Sequence, residues 1–298
     1  MKRKMLSYQH DYHAGNFADI HKHLVLQALL AAMARRDKPF VALDLYAGAG
    51  LYDLTGDRAR KTGEAGRGID RLRECAAESV LPDAVTGFLD RVPRIAGAHG
   101  YPGSPALIRA ALRDNDQLVA CEMHPEAHER LQREFAGDPR CHVHRRDARE
   151  AVRGLFPPQP RRGFVLLDPS YERPAEYREV AEMAETILAR WNTGIVVIWY
   201  PVLAGRPDHA LVERLRERAG VPWVRSELRL QDDPEAHAGL AGSGMLILRP
   251  PWQLEEELVS LLAPVHACLD PQGEGGLYRA EGLEEGAGDP TFRRVESI

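Results

Sequence analysis

The stretch from Phe40 to Gly50 constrains the fold more than any other part of the chain. Phe40 to Leu45 read as an apolar strand, and Gly48 and Gly50 make the turn that follows it tight. Glycines there let the backbone approach a ligand closely and adopt conformations that other residues avoid. Two nucleotide-type ligands favour such turns, and neither signature is complete. A dinucleotide fingerprint needs a third glycine where Asp53 stands, and no Gly-Lys-Ser/Thr follows, so a P-loop is excluded.

The Asp44-x-x-x-Gly48-x-Gly50 spacing instead resembles motif I of the S-adenosylmethionine (SAM) methyltransferases. The rest of the chain alternates in the manner this demands. Apolar runs predict strands at about 40–45, 117–121, 141–144, 164–168, 194–199, 223–231 and 243–249. A first helix is expected from Asn16 as N-cap, with Asp19 in its first turn, to Arg35-Arg36 ahead of Pro39. Ser104-Pro105, Pro125 and Pro174 open others. No helix separates the last two strands, which suggests a closing hairpin. The expected fold class is α/β, a class I SAM-dependent methyltransferase with a Rossmann-like seven-stranded sheet and a small helical insertion.

The second informative stretch is LLDPSY, Leu166 to Tyr171, at the end of an apolar strand. Asp168 can accept a hydrogen bond from an exocyclic amine, and the Pro169 carbonyl can accept its second N–H. Tyr171 can stack on an extruded base. An acid, a carbonyl and a ring so placed suit the presentation of a base amine for reaction.

Between the glycine turn and the next acid the spacing is irregular. A simple β-α-β unit places a carboxylate roughly 20 residues past the glycines. Here the first candidate is Glu122, 72 residues past Gly50, set to accept the ribose hydroxyls of SAM or simply to open a helix. Residues 51–103 therefore read as an inserted helical subdomain, with helices at Ile69 to Ala77 and Asp83 to Ala96, or as an elaborated crossover. The methyltransferase domain would comprise 1–50 and 104–269. Asp147, after CHVH, suits either the adenine amine of the cofactor or an N-cap. Residues 270–298, acidic and rich in glycine, suggest a flexible tail.

Charge is distributed unevenly. The net value of −5 hides 13 acids against 4 arginines in residues 230–298, which leaves the first 229 residues at +4. Basic clusters at Lys2-Arg3-Lys4, at Arg58 to Lys61 and between Arg140 and Arg162 would supply phosphate contacts. No apolar run of 18 residues occurs, and the first fifteen residues lack the apolar core of a signal peptide, so a cytoplasmic protein with no membrane partner is expected. Cys75, Cys121, Cys141 and Cys268 form no C-x-x-C pair, so neither a zinc knuckle nor a disulfide framework is indicated.

The amino-terminal block SYQHDYHAGNFADIHKH, residues 7–23, closely resembles the opening of the bacterial 23S rRNA adenine-N6 methyltransferases of the J type. AGAG at 47–50, YPGSP at 101–105, Glu-x-His-Pro at 122–125, DPSY, WYP at 199–201 and SGM at 243–245 follow in that family's order. The resemblance runs from Met5 to about Cys268 and implies SAM as methyl donor and 23S rRNA as partner, at the adenine-2030 site. It implies cofactor contacts from His23, Tyr46, Gly48, Gly50, Ser104, Glu122, Asp147, Ala148 and Asp168. Asp168 would also be the catalytic acid-base residue, acting with Pro169, Tyr171 and Lys22. Tyr8, Lys22 and Tyr171 would meet the RNA. Tyr46 replaces a frequent His, and Ser170 replaces the second proline of the usual DPPY, which frees the residue before it. A monomer without an obligate protein partner is expected.

Three rival readings remain. His10, His13, His21 and His23 raise a metal-dependent hydrolase, although no acid cluster with ligand spacing lies nearby and no metal is expected. DPPY-type motifs also occur in DNA adenine-N6 methyltransferases. A non-catalytic rRNA-binding protein could keep the same fold.

Overall fold

The computed structural model describes residues 10–231, 234–236, 239–270 and 277–283. The chain enters through a 3-10 turn, His10–Tyr12, and helix α1 (Phe17–Ala34). Asn16 caps α1, its side chain accepting from the Asp19 backbone N–H at 2.9 Å. Strand β1 (Val41–Asp44) leads through the glycine turn into β2 (Leu51–Asp53). Helices α2 (Asp57–Thr62), α3 (Ile69–Glu78) and α4 (Asp83–Ala96) follow, and β3 (Gly100–Pro102) returns the chain. Strands β2 and β3 pair antiparallel, Tyr52 opposite Tyr101, so the long excursion leaves and rejoins the main body at one place.

From there strands and helices alternate: α5 (Ser104–Ala111), β4 (Gln117–Cys121), α6 (Pro125–Glu134), β5 (Cys141–His144), α7 (Ala148–Leu155), β6 (Gly163–Leu167), α8 (Ala175–Arg190) and β7 (Ile195–Val202). The described residues then continue with α9 (Asp208–Arg218), β8 (Trp223–Arg229), β9 (Gly242–Leu248), α10 (Leu254–Leu269) and β10 (Leu277–Leu283). The main sheet runs in the order β10-β8-β9-β7-β6-β1-β4-β5. The five strands from β7 to β5 are parallel, whereas β9, β8 and β10 pair antiparallel.

All seven expected strands are present, and β8 and β9 do form the closing pair. Among the described residues the sheet has eight strands rather than seven, because β10 adds to the outer edge of β8. Its sequence, LYRAEGL, lies inside the stretch expected as a flexible tail; hydrogen bonding to β8 and the pairing of Glu281 with Arg225 at 3.4 Å supply what composition does not reveal. Residues 271–276 and 284–298 of that stretch lie outside the described residues.

Two apolar layers sandwich the sheet. One joins α1, α5 and α10 through Leu24, Leu26, Ile108, Leu258 and Leu262; the other joins α7, α8 and α9 through Val152, Val180, Ile187 and Leu211. Fully buried strands such as β6 carry apolar residues on both faces, as parallel strands covered twice must. A disulfide links Cys75 of α3 to Cys268 of α10, with Cα atoms 5.7 Å apart. This corrects the sequence expectation of none: the partners lie 193 residues apart, and only the packing of α3 on α10 makes them neighbours. No described helix is long and apolar enough to cross a membrane.

Candidate active site

Strand β1 has its neighbours β4 and β6 on opposite sides, with connections that leave in opposite directions. Ligands of open α/β sheets bind at such a switch point, outside the carboxyl ends of the strands. There a cavity of about 1000 Å³ opens, lined by the ends of β1, β4 and β6, the start of α1, and residues of the 51–103 excursion.

The glycine turn forms one wall. Gly48 and Gly50 have φ of +64° and +82°. A Cβ at Gly48 would meet the Tyr52 hydroxyl at 2.2 Å, and one at Gly50 would meet Leu131 at 2.9 Å. Beneath the turn, Asp44 is wholly buried and accepts from the Ser104 hydroxyl at 2.7 Å and the Tyr46 N–H at 3.2 Å. Burial pushes its carboxyl up to about 7 despite the Ser104 hydrogen bond. Glu122, just past β4, accepts from the Gly48 N–H at 2.8 Å and the His124 N–H at 2.6 Å, so it fixes the turn. Each of its oxygens retains a second lone pair. Asp147 serves as the N-cap of α7, its Oδ1 accepting from the Arg149 N–H at 2.9 Å, and Ala148 follows as first residue of that helix.

Asp168 to Tyr171 line the same cavity. Asp168 lies directly after β6, and its Oδ2 receives the Lys22 ammonium at 2.7 Å. Lys22 also reaches Asp19 Oδ1 at 2.9 Å and lies over the Trp199 ring at 5.9 Å. Burial alone would lower the lysine; the two facing carboxylates outweigh it and hold the ammonium well above its ordinary range. Lys22 is therefore a fixed cation and not a proton acceptor. Asp19 is further held by His10 Nε2 at 2.9 Å and the Gly15 N–H at 2.9 Å. Burial opposes its charge, yet His10 and Lys22 keep it well below the usual carboxylate range.

Tyr171 takes the left-handed conformation at φ +52°, an uncommon choice for an aromatic residue that costs about 1–3 kcal/mol. Its hydroxyl donates to the Trp199 carbonyl at 2.8 Å, and its ring packs on Tyr177 with centroids 4.4 Å apart. Only 8% of the residue is exposed, and it lines the cavity from within an aromatic group with Tyr177 and Trp199.

His21 and His23 part company. Both ring nitrogens of His21 are taken, by Ser243 and Ser226 hydroxyls at 2.9 Å each, and burial pushes it down to about 3. Ser243 also accepts from Trp199 Nε1 at 2.9 Å, which ties SGM and WYP into one support under Lys22. His23 bonds Tyr101 through Nδ1 at 2.8 Å, while its buried Nε2 has no partner among the described residues. Burial likewise pushes it down to about 3, so it is neutral.

His23, Tyr46, Gly48, Ser104, Glu122, Asp147, Ala148, Asp168, Pro169, Tyr171 and Lys22 thus line one cavity, with Gly50 directly behind the turn. Tyr8 and Lys2-Arg3-Lys4 lie outside the described residues. Sequence reasoning missed Asp19 as a partner of Lys22, and the raised carboxyl of Asp44 under the turn. The i,i+3 spacing of Asp19 and Lys22 on a helix was the available signal for the first.

Residues 37–281 match the family model described as "Ribosomal RNA large subunit methyltransferase D, RlmJ". The chain is 35% identical to ribosomal RNA large subunit methyltransferase J of Escherichia coli K12 over 274 residues, covering 91% of this chain and 96% of that protein. It is 32% identical to the protein of the same name from Haemophilus influenzae, again over 91% and 96%. A solved Legionella pneumophila structure superposes with a TM-score of 0.83 at 30% identity, over 92% of this chain and 99% of that one.

Proposed function

The chain belongs to the ribosomal RNA large subunit methyltransferases of the J family, and on that premise we propose that it methylates the N6 amine of an adenine in 23S rRNA with SAM as donor. One observation carries the reading: the Lys22-anchored Asp168 and the Pro169 carbonyl share a single cavity with the Glu122-braced glycine turn.

The residues fit the cofactor. The turn is a cradle that any Cβ would fill, and His23 presents a buried nitrogen without a partner among the described residues. Glu122 would take the ribose hydroxyls, Asp147 and the start of α7 the adenine, and the Gly48–Gly50 backbone, Tyr46, His23 and Ser104 the remainder. SAM supplies an electrophilic methyl carbon when bound.

The chain's own work is to make a poor nucleophile present itself. Adenine N6 is weak because its lone pair is delocalised into the ring. Asp168 and the Pro169 carbonyl would accept its two N–H bonds, favouring a more tetrahedral nitrogen with its lone pair aimed at the donor. Asp168 Oδ2 is occupied by Lys22, so the carboxylate's orientation is set before substrate arrives. Alignment and fixed acceptors supply the rate, and the proton passes to Asp168 as or after the new bond forms. Tyr171 stabilises the loop that carries both acceptors and offers the base an aromatic edge.

The test is Asp168→Ala with 23S rRNA and duplex DNA as competing methyl acceptors. The unaltered protein should label rRNA in preference to DNA, and the variant should lose turnover almost entirely while SAM binding falls less. Near-normal methylation by the variant would remove the mechanism; labelling of DNA alone would replace the substrate.

A further inference from the structure

In the lining of the cavity two arginines from different elements converge on one carboxylate. Arg130 of α6 donates through Nη1 to both oxygens of Asp11, at 2.8 and 3.1 Å. Arg58 of α2 reaches the same carboxylate at 3.3 Å and Glu126 at 3.5 Å. All four residues line the cavity that holds Asp168 and Glu122.

We propose that Arg58 and Arg130 form a binding site for a backbone phosphate of the RNA substrate, and that Asp11 fills it while RNA is absent. The inference rests on the RNA reading above and adds a residue-level contact to it. Arg130 is oriented independently of Asp11: its Nη2 donates to the Leu51 carbonyl at 2.7 Å and its guanidinium lies over the Tyr52 ring at 5.9 Å. Removing Asp11 therefore leaves the fork in place. The side chains of Asp11, Arg58 and Arg130 are 20%, 39% and 29% exposed. An ion pair open to water on both partners is weakened by solvent, so another anion can displace its carboxylate. A phosphodiester brings the same single negative charge on two non-bridging oxygens, which a planar guanidinium fork binds as it binds a carboxylate. The exchange keeps the charge balance around the arginines and frees Asp11 to water.

An ion pair kept for structure and an anion seat give opposite signs on substitution, so the test compares both partners. The probe is a labelled 23S rRNA fragment, with binding followed by fluorescence anisotropy at several salt concentrations and SAM affinity measured alongside. Arg130→Gln should weaken RNA binding about tenfold and flatten the salt dependence by about one unit of slope. Asp11→Asn should tighten binding about threefold, because the competitor has gone. SAM affinity should stay within about twofold for both. Arg58→Gln, on the surface, repeats the Arg130 test without risk to the fold. Weaker binding by Asp11→Asn, or unchanged binding by both arginine variants, overturns the site, as does failure of the unaltered protein to bind the fragment. Loss of the assigned activity would show separately, as binding without methyl transfer.

Discussion

Lys22→Met isolates the arrangement on which the site depends. The ammonium lies 2.7 Å from Asp168 and 2.9 Å from Asp19, with 7% of its side chain exposed. At an effective dielectric of ~20 each contact is worth about 6 kcal/mol before the cost of desolvation. Removing one partner of such a buried group typically costs about 3–5 kcal/mol, and the reason here is that Asp168 loses its lysine while Asp19 keeps only His10 as an ion-pair partner. In the unaltered protein, Asp19 lies below its ordinary range, so its contribution is present above about 4 and lost in acid. Lys22 lies above its ordinary range, so its contribution holds until the pH rises past that range. Stability from this group is therefore flat between pH 5 and pH 9, roughly. In the variant one carboxylate must take up a proton to relieve the other, so folding gains as the pH falls. Urea unfolding at pH 8 should show a loss of about 3–5 kcal/mol, narrowing by about 1 kcal/mol or more at pH 5.5. A loss below about 1 kcal/mol at pH 8, or a gap that widens in acid, would refute the argument. Methyl transfer should fall further than SAM binding.

Gly48→Ala should abolish SAM binding, measured calorimetrically, because φ of +64° and a Cβ 2.2 Å from the Tyr52 hydroxyl leave no room in the turn. Tyr171→Phe loses the bond to Trp199 and should cost roughly 0.5–1.5 kcal/mol by thermal unfolding while keeping much of the activity. Tyr171→Ala should lose most of the activity, and equal losses by both variants would point to the hydroxyl instead. Cys75→Ser should make thermal stability insensitive to dithiothreitol. The oxidised unaltered protein should lose up to about 5 kcal/mol on reduction, the chain-entropy value for so long a loop.

What the sequence made legible follows physical rules that act locally. β1 and β6 are readable because strands buried on both faces have to be apolar, and the glycine turn because its backbone tolerates little else. Asn16 was found as a cap because capping acts over three residues. Interactions made only by the completed fold were not readable. The Lys22–Asp168 ion pair joins residues 146 apart, and Arg130–Asp11 joins residues 119 apart. The resemblance placed Lys22 near the reaction, yet nothing in the spacing showed that it holds Asp168. The strand β10 was missed because its acidic, glycine-containing surroundings outweigh a seven-residue pattern.

That last strand also protects the molecule from itself. Strand β8 would otherwise end the sheet with a row of unsatisfied amides and carbonyls, ready to template against another chain. β10 covers that row from Trp223 to Arg229. Its Glu281 also faces Arg225, which is nearly buried and belongs to a charged group with Glu227, Asp208 and Tyr200. A chain shortened at residue 270 would retain every residue assigned to catalysis and would still expose a sticky edge beside a partly uncovered arginine. Its failure would be read as loss of enzyme activity, when the lost property was solubility.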